Sequence, residues 1–208
     1  MVKSSIFCAA ALLLALAAPC LAKGPPRPLA DWPCDAPFAG PLDAAMLWPG
    51  IDGRTAAEAA WQQDTVARRL VDFLTAGENS PGMGQREIEA VAEKNGPFPP
   101  DTALRVVAGM VERGNALRRI LLQGIKQQII KSHVLAEAIA ADSAKIAAAE
   151  HQDSDGARRH AAALKEVRRQ NLEGLDDADD TAAHLCHRLV YDEAKLRRLA
   201  DTLKAHTR

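Results

Sequence analysis

Residues 176–191 read DDADDTAAHLCHRLVY, and this is the stretch whose residue types and spacing could do chemistry. On a helix, Asp180, His184, His187 and Tyr191 stand at spacings of 4, 3 and 4 and so share one face. Two imidazoles and a carboxylate are suitable ligands for a divalent transition metal such as zinc, nickel or copper. One short segment would have to supply every ligand, however, and nothing in the sequence specifies a fourth. A solvated helix start accounts equally well for Asp177 and Asp180, because carboxylates are favourable beside the first amides of a helix. The run Asp176, Asp177, Asp179 and Asp180 lacks the glycine and terminal glutamate of a calcium-binding EF-hand loop, and DSDG at 153–156 matches only a fragment of one.

Other catalytic patterns are missing. HLCHR is not a haem-attachment motif, and His187 lies about 100° around a helix from Cys186, poorly placed as the base for a thiol nucleophile. The chain contains no Gly-x-Ser-x-Gly, no His-Glu-x-x-His and no glycine-rich phosphate loop. These residues give no reason to expect an enzyme. No cofactor is expected, with a metal on the Asp180/His184/His187 face as the alternative. His133, His151, His160 and His206 are isolated and read as surface residues.

The elements that must carry this face begin behind a leader. Lys3, an apolar run from Ile6 to Ala18 and the small residue Ala22 have the layout of a signal peptide over residues 1–22. Cys20 raises acylation as an alternative, against which Pro19 argues. Export through such a leader leads to an expectation of periplasmic localisation. Cleavage removes Lys3 and no acid, leaving 25 basic (26 − 1) and 27 acidic residues, a net charge of −2 on 186 residues (208 − 22). That balance gives no reason to expect nucleic acid as a partner, and no later stretch is apolar for long enough to span a bilayer. Cys8 and Cys20 depart with the leader. Cys34 and Cys186 then remain, and in an oxidising compartment they are expected to pair.

Residues 23–54 hold seven prolines, so they read as an extended arm rather than helix or sheet. Trp32, Phe38 and Trp48 give this arm more apolar area than a solvated linker carries, and it is expected to lie on the base of a helical domain at 55–208. TAAE at 55–58 reads as a capping box opening a helix over about 55–76, and a second short helix is expected over about 85–95. Two long arms follow, at about 101–150 and 157–206, joined by HQDSDG. Leu122, Ile125, Ile129, Ser132, Ala136, Ile139, Ser143 and Ile146 alternate gaps of 3 and 4, as do Leu175, Ala178, Ala182, Leu185, Leu189, Asp192, Leu196, Leu199 and Leu203. The expected fold is all-α: a long antiparallel helical hairpin, partly coiled coil, with two shorter helices and the arm packed on its base. Folding back between Asp153 and Ser154 sets Leu122 opposite Leu185 and Cys186 level with Leu121. Gly109, Gly114 and Gly124 allow two readings, close approach of another element or a break of the first arm near residues 113–115.

Residues 133–165 contain no Phe, Trp or Tyr, so the half of the hairpin near the turn is expected to be thin. The expected function is therefore that of a non-enzymatic binding or adaptor protein, meeting another protein or a second copy of itself through the hairpin. Ala136, Ala140 and Ala147 would let a helix approach closely, while Lys145, Arg158 and Arg159 would set its register. A metal- or small-ligand-binding protein using Asp180, His184 and His187 is the alternative.

Overall fold

The computed structural model describes residues 32–34, 40–52, 55 and 58–208. The leader and Phe38 lie outside the described residues. Six elements are named here: α1 Ala44–Leu47, a 3-10 turn Trp61–Gln63, α2 Thr65–Thr75, α3 Pro81–Asn95, α4 Pro100–Glu150 and α5 Asp155–Ala205. Among the described residues there is no strand, only a single parallel bridge between Phe98 and Thr207. The fold is all-α, and α4 and α5 form the long antiparallel hairpin. Each has 51 residues and is about 75 Å long at 1.5 Å per residue.

Thr55 and Glu58 are helical, but the helix does not run on from TAAE to residue 76: residues 59 and 60 are not helical, and α2 starts afresh at Thr65. Thr55 gives its hydroxyl hydrogen to Asp52 (2.7 Å), and the N-cap is Asp64, whose carboxylate accepts from the amides of Val66 and Ala67. Asp64 prevails because the same carboxylate also accepts from Thr102 and from Arg105 (3.1 Å) on α4, locking α2 to the hairpin. Ala67, Leu70, Val71 and Leu74 then form the apolar face at helical spacing, and all are fully buried. The other end of α2 is closed from a distance. Lys195 of α5, itself buried, donates to the carbonyls of Ala76 (2.8 Å) and Asn79 (2.6 Å), using its cation to satisfy the chain beyond the helix end.

Helix α3 begins at Pro81 rather than near residue 85, with Ser80 as N-cap and proline in the first turn, where its missing N–H costs nothing. Gly96 ends it at φ 80°, a conformation that favours glycine. Behind Pro99 and Pro100, α4 runs unbroken through residues 113–115, so the glycines mark close approach. A Cβ on Gly109 would lie 2.4 Å from a Val71 methyl, and one on Gly114 would lie 2.7 Å from Leu196 and 3.1 Å from Leu42 of the arm. Ser154 caps α5 through the amide of Ala157 (3.2 Å).

The arm is not purely extended, because Asp43 caps the four-residue α1. It is held at two levels. Asn115 of α4 grips Leu42, accepting from its amide (2.7 Å) and donating to its carbonyl (2.9 Å), while Trp48 packs on the main core. Nearer the turn, Cys34 and Cys186 form a disulfide with Cα atoms 5.3 Å apart. Trp32 packs there on a small separate core of Cys34, Cys186, Ile125 and Ile129.

The register differs slightly from symmetric folding. Leu185 lies over Gly124 instead of opposite Leu122, and Cys186 meets Ile125 and Ile129 instead of Leu121. Cα–Cβ bonds lean toward the N-terminus of their own helix. Side chains of α4 therefore lean toward the base and those of α5 toward the turn, displacing each contact by a residue or two.

Candidate partner-binding surface

Beyond the disulfide the hairpin is two helices thick, and its chemistry is the chemistry of their exposed faces. The inward seam is as expected in outline. Ile125, Ile129 and Ile146 on α4 are buried, as are Ala178, Ala182, Cys186 and Leu189 on α5. Closer to the turn it becomes small and polar, with Ala149, Ala157 and Ala161 buried beside Asp142. Asp142 accepts from Asn171 (3.3 Å) and pairs with Lys145 (3.6 Å), so its burial is compensated from both helices.

The two outward edges differ in kind. On α4, Ile120, Ile130 and Val134 are 67, 64 and 60% exposed. At 100° per residue the three fall within about 80° of one another. Gln123 and Gln127 lie between them, and Arg119, Lys126, Lys131 and one acid, Glu137, flank them, all exposed. On α5 the outward edge carries Glu173, Asp176, Asp177 and Asp180, then His184, His187 and Tyr191, also all exposed. One edge is thus apolar with mainly basic flanks, and the other acidic with imidazoles.

The residues singled out from the sequence fall on three separate places. Asp180, His184 and His187 share the α5 edge. Among the described residues, no three His, Cys, Asp or Glu side chains come together so as to hold a metal ion. Ala136, Ala140 and Ala147 are exposed on a flank of α4, about 120° from the Ile130/Val134 edge. Arg158 is engaged within its own turn, with Asp153 (2.9 Å) and Asp155 (2.5 Å); Arg159 is exposed in the next position. His206 is half-buried rather than exposed, and its carbonyl accepts from Phe98 (2.8 Å).

Charges on the thin half mostly neutralise one another. Lys165 pairs with Glu150 across the turn (2.7 Å), and Arg169 pairs with both Glu166 and Glu173 along α5. The hydrogen bonds that Arg169 and Gln170 give to Glu166 hold its carboxyl down to about 2, and Lys165 holds Glu150 below the ordinary glutamate range. These acids are taken by neighbours on the same hairpin.

The apolar edge of α4 was open to detection. Ala116, Ile120, Gln123, Gln127, Ile130 and Val134 follow a second series with gaps alternating 4 and 3, without a charge until Glu137. No helix among the described residues is long and apolar enough to cross a membrane. Comparison with protein-family models, with curated proteins and with solved structures gave no match for this chain.

Proposed function

We propose that this is an exported, periplasmic, non-enzymatic binding or adaptor protein that works through its helical hairpin and docks a helix of another protein along the outer edge of α4. The observation that carries this reading is the exposed series Ile120, Ile130 and Val134, on a helix whose opposite side already serves the hairpin seam. Large aliphatic side chains at spacings that return to one face of a helix are the anchors of helix-on-helix recognition. Arg119, Lys126 and Lys131 beside them call for a partner helix with acidic flanks. They also disfavour pairing of this edge with the same edge of a second copy, since basic flanks would then face one another. The leader and the disulfide support export to an oxidising compartment.

The test uses two synthetic amphipathic peptide helices with the same leucine face, one flanked by glutamates and the other by lysines. Fluorescence anisotropy is expected to show the acidic peptide binding and the basic one not, with binding lost in Ile130→Lys and retained in His187→Ala. Equal binding of the two peptides, or indifference to Ile130→Lys, would overturn the reading.

A further inference from the structure

A groove of about 450 Å³ opens where the base ends and the bare hairpin begins, between the C-terminal end of α2 and the middles of α4 and α5. Its large apolar lining residues are Leu42, Leu74, Leu117, Leu121, Leu189 and Leu196, together with Ile120. These leucines belong to the arm, to α2 and to both hairpin helices, so the groove exists only in the assembled fold. Its volume lies in the usual range for small-molecule sites, about 300–1,000 Å³.

The polar side of this groove is unusual for a helical seam. Arg118 stands four residues before Leu122, on the continuation of the apolar series, where a coiled coil would place an aliphatic residue. It is 5% exposed, lines the groove and pairs with Glu193 of α5. Burial pulls its guanidinium below the ordinary arginine range. A buried ion pair at such a position contributes no more stability than well-packed apolar side chains of the same volume, so stability does not account for it.

Two further arginines reach the same space from different helices. Arg113 of α4 gives Nη2 to Asp72 of α2 (3.3 Å), and Arg188 of α5 gives Nε to Asp192 (2.8 Å). A guanidinium carries five N–H donors, so each has donors beyond those its carboxylate takes. The Arg113–Asp72 pair is about half exposed on both sides, and such pairs are weak enough for a ligand to displace one partner. Counting Lys195, the lining has four basic residues against three acids, Asp72, Asp192 and Glu193.

We infer that this groove binds a small amphipathic anion, an aliphatic carboxylate whose chain lies along the leucines and whose head is held by Arg113 and Arg188 at the mouth and faces Arg118 within. A neutral apolar body would leave the arginine-lined side unmatched. A cation would meet three guanidinium groups. Ile120 of the α4 edge also lines this groove, so the two sites meet there, while Ile130 and Val134 belong to the edge alone; neither reading depends on the other.

The experiment is isothermal titration calorimetry of the full mature chain with sodium decanoate, and separately with decyltrimethylammonium, each below its micelle concentration. Decanoate is expected to saturate at one per chain and decyltrimethylammonium to give no saturable heat. The double variant Arg113→Gln/Arg188→Gln removes two partly exposed cations, one of them beside the Trp61 ring, so its thermal unfolding is expected to shift only slightly while decanoate affinity falls at least about tenfold. Arg118→Met, which fills the seam with an apolar side chain, is expected to remain folded and lose decanoate binding. No saturable decanoate binding up to about 1 mM, equal binding of the cationic detergent, or unchanged affinity in the rim variant would each overturn the assignment.

Discussion

The two ends of the hairpin use the same helices in opposite ways. In the base, Ala103, Val106, Val107, Ala108, Gly109 and Met110 of α4 are all buried, so the helix is covered on nearly every side by α2, the 3-10 turn, the arm and α5. Beyond the disulfide, the buried residues of α4 are Ile129, Asp142, Ile146 and Ala149, with none between 129 and 142. A helix with many neighbours contributes to a cooperative core, whereas one with a single neighbour keeps two-thirds of its surface for other uses. The composition follows this division. Trp61, buried in the base, gives its indole N–H to Glu112 (2.8 Å) and has the Arg113 guanidinium 5.7 Å from its ring centre. The far half has alanine, serine and asparagine at its seam and ion pairs on its surface. Local opening should therefore be easier near the turn than in the base, and hydrogen exchange should show it as faster exchange of amides at 136–170 than at 103–110.

The largest effect should come from the boundary between the two regions. The Cys34–Cys186 bridge closes a loop with a sequence separation of 152 residues. The chain-entropy model gives about 5 kcal/mol for such a loop, and removal of native bridges commonly costs about 2–5 kcal/mol. Urea unfolding of Cys34→Ala/Cys186→Ala is expected to show a loss in that range, with exchange quickening most around Ile125 and Ile129, which Trp32 and the bridge cover. A loss confined to the base would show that Asn115 and Trp48 hold the arm without the bridge.

Core truncations should separate the regions next. Leu199 is fully buried in the base, and Leu199→Ala is expected to cost about 2–5 kcal/mol. Ile139 sits half-buried at the thin seam, so Ile139→Ala is expected to cost less than about 2 kcal/mol, reported by the same unfolding measurement. Equal costs would mean that the far half folds as tightly as the base.

Glycines give a sharper version of the same contrast. An added methyl at Gly109 would lie 2.4 Å from one Val71 methyl and 2.9 Å from the Trp61 ring. Gly109→Ala is expected to destabilise by about 1–3 kcal/mol despite alanine's better helix propensity. At Gly174 the nearest atom is a Leu135 methyl at 3.4 Å, so Gly174→Ala is expected to stabilise by up to about 1 kcal/mol. Thermal melts of the two variants should move in opposite directions.

How far the sequence was legible follows from the same division. Series of 3 and 4 gaps reveal a two-helix seam because the seam repeats, and the pairing of Cys34 with Cys186 was legible because Cys8 and Cys20 fall in the expected leader. The base was harder to read. TAAE has the right residues for a helix start, but Asp64, with partners on α4 more than 35 residues away, takes the role for α2, and no local pattern contains that information. Arg118 and Lys195 read as surface residues by type; what buries them is Glu193 in one case and two carbonyls beyond α2 in the other. The Ile120/Ile130/Val134 edge has the same spacing, but Gln123, Gln127 and Glu137 dilute its apolar signal below that of the seam.

Charge at the two ends should also differ in its effect on stability, and this is the smallest of the effects. Burial alone would raise the Asp64 carboxyl, but hydrogen bonds from the Ala67 amide, Arg105, the Val66 amide and Thr102 outweigh it and hold the group below the ordinary aspartate range. A folded-state value lower than the unfolded one means that the carboxylate's stabilisation is fully present above the unfolded aspartate value. It is lost as pH falls through that value to the lower folded one. Asp64→Ala removes the cap of α2 and is expected to cost about 1–2 kcal/mol at neutral pH. The difference between parent and variant should shrink as pH drops below about 4, where the unfolded aspartate takes up its proton. Glu166 is shifted in the same direction, to about 2, but by Arg169 and Gln170 of its own helix and at the exposed surface. Salt screens such a pair, and it joins no two elements, so Glu166→Gln is expected to leave the unfolding midpoint unchanged at any pH in physiological salt. A pH-dependent loss in Glu166→Gln as large as that in Asp64→Ala would mean that the thin half is knit together by its surface charges, and the contrast between the two ends would have to be drawn on packing alone.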